Sequence, residues 1–384
     1  ALIFNDEGLP LQGLSNGSIF EKGFARDIFP LFERAAGGEE ISLWVEAAAF
    51  SRFGVNRDED PARNCPTRHG TYCGKVNKIR LAVYEIEPYH LWLDLSVLFD
   101  LYGAIPENST RAVRILRGLS KAIDVFADDP ENASACRDIL RPLLAQKAHA
   151  SSITATAVGH AHIDTGWLWP VKEAIRKSAR TFANQLDLIE KYPDYIFGAS
   201  QPAHYAMVKK HYPALYEKIK AAVKAGRWEP QGGMWVEADC NVTGAESLVR
   251  QFIHGKNFYM DEFDFDVKNL WIPDVFGYSA SIPQIMKRAG VDYFLTQKIC
   301  WSQFNKFPHT TFNWRGIDGS EVLTHFPPEN SNNYNSKLIP SGMIAGEENF
   351  KEKEILDEML VLFGVGNGGG GAKAEHIERG LRQR

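Results

Sequence analysis

Beyond Ser152 the chain alternates short apolar runs with longer amphipathic stretches, and this alternation constrains its fold more than any other feature. The strand candidates are residues 155–158, 195–199, 228–230 with 234–236, 269–272, 293–296 and 322–325. Between them, residues 171–192, 202–225, 245–262 and 281–289 carry apolar side chains at helical spacing. Strands that alternate with helices pack as a parallel sheet or barrel with the helices outside, because parallel neighbours need a crossover connection. Such folds gather their chemistry at the C-terminal ends of the strands. Here those ends run straight into polar or aromatic clusters: His160-Ala-His-Ile-Asp, Ser200-Gln, Glu237-Ala-Asp, Asp274, Gln297-Lys and His325.

Upstream, residues 1–85 read as β-rich. Ile41-Ser-Leu-Trp-Val-Glu-Ala alternates apolar and polar residues, and Ile79-Arg-Leu-Ala-Val-Tyr-Glu-Ile does so less cleanly. Turn signals such as Asn5-Asp-Glu-Gly and Ser15-Asn-Gly punctuate the region, so a partial β-sandwich forming an N-terminal domain is expected there. Leu91, Leu95, Leu98 and Leu101, then Ala112, Ile115, Leu119 and Ile123, then Ile139, Leu140 and Leu143 predict a helical spacer over residues 86–150. The α/β domain then occupies residues 151–384. Near its end, residues 347–363 read as a helix, followed by Gly364-Val-Gly-Asn-Gly-Gly-Gly-Gly. That run suits either a flexible linker or a loop whose backbone approaches a ligand. It is not a phosphate loop, since no Gly-Lys-Ser/Thr follows.

Composition narrows the function classes. The formal net charge of -5 without a basic tract argues against a nucleic-acid partner. No run of 18 apolar residues occurs, so no membrane span is predicted. The five cysteines include no CxxC pair, which points away from a disulfide framework or zinc finger and toward thiols in a reducing, cytoplasmic setting. A homo-oligomer is compatible with all of this. The chain opens inside an apparent strand, Ala1-Leu-Ile-Phe, so its natural start is expected upstream.

His160, His162 and Asp164 fall at alternate positions, which share one face of an extended chain. Two imidazoles and a carboxylate so placed suit a divalent metal such as zinc, and equally a strand end whose histidines bond loop backbone. In Leu270-Trp-Ile-Pro-Asp-Val-Phe-Gly-Tyr-Ser an apolar strand ends at Pro273, which forces an extended exit and delivers Asp274 to the same end of the sheet. Alone, Asp274 reads as readily as a loop or helix-capping aspartate.

The segment Val158-Gly-His-Ala-His-Ile-Asp-Thr-Gly-Trp-Leu-Trp-Pro resembles the metal-binding segment of the glycoside hydrolase family 38 α-mannosidases. Trp228-Glu-Pro-Gln-Gly-Gly-Met-Trp-Val-Glu-Ala-Asp-Cys-Asn and residues 271–284, 293–305 and 311–328 also resemble that family, in its order. The likeness covers residues 1–371 and is nearest the bacterial and fungal vacuolar-type branch. It implies a catalytic α/β domain with a parallel-strand (β/α)7-type barrel. It further implies a retaining α-mannosidase that removes terminal α-linked mannose from oligosaccharides, with one zinc ion (cobalt being the alternative). Carried over position by position, His162 and Asp164 match zinc ligands, and His160 matches a histidine beside the site. Asp274 matches the catalytic nucleophile, which also touches the zinc. Trp167 matches the aromatic beneath the mannose, Phe276 lines the same pocket, and Lys298 falls near the nucleophile.

Two departures accompany the likeness. The family's remaining zinc histidine is expected beyond Arg384, with His376 in the wrong context to replace it. The family's general acid is an aspartate on the loop where this chain has Asn367, and an amide cannot donate and recover a proton. Asp239 and Glu237 are the in-chain substitutes, and a residue beyond Arg384 is the preferred source of the acid. The chain is therefore expected to be the N-terminal portion of a longer enzyme, inactive alone. The alternatives are a metal-dependent polysaccharide deacetylase, which the Trp271–Ser279 motif argues against, and a non-catalytic sugar-binding fragment.

Overall fold

The computed structural model describes residues 1–15, 25–47, 78–167, 169–329, 334–366 and 368–383. Cys65, Cys73 and Asn367 lie outside the described residues. The chain packs as two units, one of Ala1–Lys75, Val158–Phe326 and Phe363–Lys373, the other of Val76–Ala157, Pro327–Leu362 and Ala374–Arg384.

Strands β1 (Leu2–Phe4), β2 (Pro10–Gly13) and β3 (Trp44–Glu46) form an antiparallel sheet in the order β2-β1-β3. No second sheet facing it is found among the described residues, so the sandwich expected over residues 1–85 is represented by one sheet. The alternating stretch from Ile79 forms no strand. Its Ile79, Leu81 and Val83 are exposed, and a pattern with period two forms a strand only where a neighbour accepts its hydrogen bonds. Helices α1 (Ile86–Ala104), α2 (Thr110–Phe126) and α3 (Ala133–Leu144) then pack around Leu91, Leu98, Ile115, Leu119, Cys136 and Leu140 in the second unit. The Ser109 hydroxyl caps α2 by accepting from the Ala112 N–H at 3.2 Å.

The alternating region follows, as β4 (Thr154–His160), α4 (Val171–Lys191), β5 (Phe197–Ala199), α5 (Pro202–His211), α6 (Pro213–Lys224) and β6 (Trp228–Pro230). The stretch 202–225 is two helices rather than one, because Pro213 offers no N–H and disfavours a helical Tyr212. After α7 (Ala245–Phe263) come β7 (Asn269–Trp271), α8 (Ile282–Arg288) and β8 (Tyr293–Leu295). The chain continues through β9 (Thr311–Arg315), β10 (Glu321–His325), α9 (Pro340–Asn349), β11 (Glu358–Phe363) and α10 (Ala374–Leu381).

Two four-stranded sheets result, ordered β11-β4-β5-β6 and β7-β8-β10-β9. Within them β4, β5 and β6 are parallel, as are β7, β8 and β10, while β9 returns antiparallel to β10. No closed barrel is found among the described residues. Residues 234–236 are not a strand: the N–H groups of Trp235 and Val236 donate to the backbone and side chain of Gln251 on α7 instead of to a ladder. Residues 358–363, expected to end a helix, form β11, because Met-Leu-Val-Leu-Phe is a short apolar run that β4 accepts as a buried neighbour.

Leu248 and Phe252 of α7, Ile282 and Met286 of α8, and Leu270, Ile272, Phe294 and Val322 of the β7-β8-β10 strands and their exits form one buried cluster. Close packing of α7 brings Gly255 against the carbonyl of Gly233, and a Cβ at position 255 would overlap that backbone. Two measurements follow. An alanine in a helix is ordinarily about 1 kcal/mol better than glycine, but forced overpacking costs about 1–3 kcal/mol, so Gly255→Ala is expected to lower the denaturation midpoint. A raised or unchanged midpoint would contradict this close approach. In the second unit Glu329 is 1% exposed. Burial pushes its pKa up to about 7 from 4.5, with Ser336 pulling the other way. A carboxyl raised in the folded state favours the protonated form, so stability is lost as pH climbs from about 4.5 to 7. Glu329→Gln should therefore stabilise the chain at pH 8, by up to about 3 kcal/mol, and do little at pH 4. Equal effects at both pH values would contradict the shift.

Candidate metal centre and sugar site

The exit of β4 carries the first half of the site. His160 ends the strand buried, its ring tilted against that of Trp271 at 6.0 Å between centroids. His162, two residues on, has a side chain only 3% exposed. The turn is tied down by Trp169, whose indole N–H donates to the Asp164 carbonyl at 3.1 Å, and by the Gln201 amide, which donates to the Ile163 carbonyl at 2.8 Å. The exit of β7 carries the second half, Asp274. His162 Nε2 lies 3.4 Å from Asp164 Oδ2 and 3.3 Å from Asp274 Oδ2. One donor atom from each of these three residues falls within 4.8 Å of the others. His160 is not among the converging donors.

Lys298, just past β8, reaches the other oxygen of Asp274: Nζ lies 2.5 Å from Oδ1. Burial alone would raise the Asp274 pKa, but the His162 ring and the Lys298 ammonium outweigh it and hold the carboxyl at about 2. Burial lowers the Lys298 pKa, against the pull of Asp274. Glu237, past β6, stands on the far side of His162, with Oε2 3.0 Å from Nδ1. Burial pushes the Glu237 carboxyl up, and His162 opposes that shift. Asp239 instead faces outward and accepts from the N–H groups of Asn241 and Val242 at 2.9 and 2.7 Å, as a turn-forming aspartate does. Of the two substitutes for the acid, Glu237 is thus engaged with His162 and Asp239 with its own turn. His376 lies on α10, in the second unit.

Aromatic surfaces flank the cluster. Trp167 is 45% exposed and meets Trp169 edge-on at 5.4 Å. Phe276 is 72% exposed and meets Trp301 edge-on at 6.3 Å. The Lys298 ammonium sits over both rings, 4.7 Å from the Phe276 centroid and 3.3 Å from that of Trp301. Trp301 was not singled out by sequence, although it lies in the stretch 293–305 that carries the family likeness. The glycine run is not a linker. Arg26 donates to the carbonyls of Gly369, Gly371 and Ala372, Gln185 to that of Gly370 at 2.7 Å, and the Gly368 N–H to the His162 carbonyl at 3.2 Å. At Gly364 φ is 132°, and a Cβ there would strike the His160 carbonyl, so the chain passes the β4 exit only as glycine.

One imidazole nitrogen and two carboxylate oxygens make a donor set that fits a divalent metal ion. Two carboxylates facing one imidazole also concentrate negative charge that a dication would neutralise.

Residues 152–383 match the model of the glycosyl hydrolases family 38 N-terminal domain. Alpha-mannosidase G of Dictyostelium discoideum is 35% identical over 97% of this chain. The chain belongs to glycoside hydrolase family 38. Human alpha-mannosidase 2C1 is likewise 35% identical over 98% of the chain. The family 38 chain spans about a third of the length of these relatives, 34% and 35%. Among solved structures, an alpha-mannosidase from Enterococcus faecalis V583 superposes with a TM-score of 0.50 at 20% identity, covering 60% of this chain and 26% of that one, a likeness of fold.

The convergence of donors makes a direct test. In zinc titrations of the purified chain, His162→Ala should abolish binding and His160→Ala should leave it within a few-fold of wild type. Equal losses from both would contradict the assignment of His160 as a neighbour.

Proposed function

We propose that this chain carries the zinc and nucleophile half of a retaining α-mannosidase centre, acting on terminal α-linked mannose of oligosaccharides. The observation that carries the reading is the meeting of His162, Asp164 and Asp274, from the exits of two separate strands, beside Lys298 and two exposed rings. His162, Asp164 and Asp274 would hold the zinc, which would supply Lewis-acid grip on the adjacent 2- and 3-hydroxyls of mannose. Trp167 would stack beneath the apolar sugar face, with Phe276 lining the same pocket. Asp274, kept ionised by His162 and Lys298, would attack the anomeric carbon as the glycosidic C–O bond breaks, giving a covalent glycosyl-enzyme and an aglycone whose oxygen takes its proton from the acid/base carboxyl.

A retaining enzyme also needs an acid/base carboxyl about 5–5.5 Å from the nucleophile. Glu237 and Asp239 are each engaged elsewhere, so no described residue is assigned that role. We further propose that β4–β5–β6 and β7–β8–β10 are sections of a (β/α)7-type barrel in a catalytic domain beginning near residue 151. The parallel pairing within each set and the start of the family match at residue 152 support this. A reducing, cytoplasmic setting is proposed from the thiols Cys136, Cys240 and Cys300, which form no disulfide among the described residues.

A fluorinated mannosyl fluoride isolates the nucleophile, because its leaving group departs without an acid. Mass spectrometry of the treated chain should find one glycosyl adduct, on the peptide bearing Asp274, and none in Asp274→Asn. An unmodified wild-type chain would count against the retaining reading and favour water-based chemistry such as deacetylation. Turnover of an aryl α-mannoside by the purified chain should be far below that of a full-length relative.

A further inference from the structure

Glu237 approaches His162 at Nδ1, the nitrogen opposite the one that meets Asp164 and Asp274, and its surroundings give it a different task. Its side chain is 6% exposed, and its two oxygens face different groups. Oε2 lies 3.0 Å from His162 Nδ1. Oε1 accepts from the Ser200 hydroxyl at 3.1 Å and from the Gln201 amide at 3.3 Å.

Gln201 is the bracket behind this arrangement. Its amide nitrogen also donates to the Ile163 carbonyl at 2.8 Å, between His162 and Asp164. Its amide oxygen accepts from the Thr165 hydroxyl at 3.0 Å and from the Glu237 backbone N–H at 3.3 Å. Thr165 meets His204 Nε2 at 3.1 Å on the same side. One side chain at the end of β5 therefore ties the exit of β4 to the exit of β6. Gln201 does so from φ 67°, a left-handed conformation that a non-glycine residue holds only when its surroundings over-determine it.

We infer that Glu237 is a positioning residue: it accepts the Nδ1–H of His162 and so turns Nε2 toward Asp164 and Asp274. An imidazole offers one nitrogen to a metal only when the other is engaged, and a carboxylate on the outer nitrogen fixes ring rotation and raises ligand basicity. The bracket made by Gln201 and Ser200 keeps the carboxylate from following the ring. This rests on the metal reading of the cluster. It removes Glu237 from the candidates for the general acid, because its carboxylate is committed to His162.

The test combines two readouts on the chain. In the metal-free protein, nitrogen-15 histidine spectra should show a protected, downfield Nδ1–H of His162, present in wild type and in Glu237→Gln and absent in Glu237→Ala. In zinc titrations, Glu237→Ala should weaken binding about 10–100-fold, while Glu237→Gln, which still accepts from Nδ1–H, should recover most of it. Thermal melts of both variants separate misfolding from the local effect. A wild-type His162 without a protected Nδ1–H, or a folded Glu237→Ala that binds zinc within twofold of wild type, would overturn the inference. A wild type that shows the protected proton but takes up no zinc would leave Glu237 as the orienting group and overturn the metal reading alone.

Discussion

A buried imidazole flanked by carboxylates on both nitrogens is the interaction on which the first unit depends. His162 faces Glu237 through Nδ1 and both Asp164 and Asp274 through Nε2. Charge gathered in this way is costly away from water unless every group has a partner. Each partner reaches the ring from a different strand exit: Asp164 from β4, Glu237 from β6 and Asp274 from β7, with the balancing cation of Lys298 arriving from β8. The parallel arrangement within each sheet puts the β4 and β6 exits on one side of the first and the β7 and β8 exits on one side of the second. Fold and site are linked through that shared direction.

The support around the cluster is mostly backbone. Gln251 captures the N–H groups after β6 and holds the segment leading to Glu237, while Gly255 lets α7 lie against the same segment. Arg26 and Gln185 grip the carbonyls of the glycine run and press it against the β4 exit. The rigidity of these supports suits a site whose donors must be held to a fraction of an ångström before a ligand arrives.

Membership of family 38 rests on likeness along nearly the whole chain, although the chain is about a third as long as its relatives. His162, Asp164 and Asp274 are the groups proposed for metal and nucleophile, beside exposed rings proposed to face a sugar. The proton donor is a separate matter. Glu237 is the right chemical type in the right neighbourhood, yet its partners assign it to orientation rather than to proton transfer.

Much of this was legible before the fold was known. The alternation of apolar runs and amphipathic helices locates β4 to β8 and β10, because burial on both faces and the helical period leave direct marks on a sequence. The spacing of His160, His162 and Asp164 marks the β4 exit as chemical, and the apolar run ending at Pro273 marks Asp274. Other features left no such mark. Residues 234–236 look like a strand but are not one, since only the packed α7 shows where their N–H groups go. Residues 358–363 form a strand because β4 lies beside them, and the exposed pattern from Ile79 has no neighbouring strand among the described residues. The sequence alone determined which residue types arrive at the strand ends, because local pattern and family motifs are written along the chain. Only the tertiary structure decided which nitrogen of His162 meets which carboxylate, because those partners lie tens of positions apart and are joined by sheet packing.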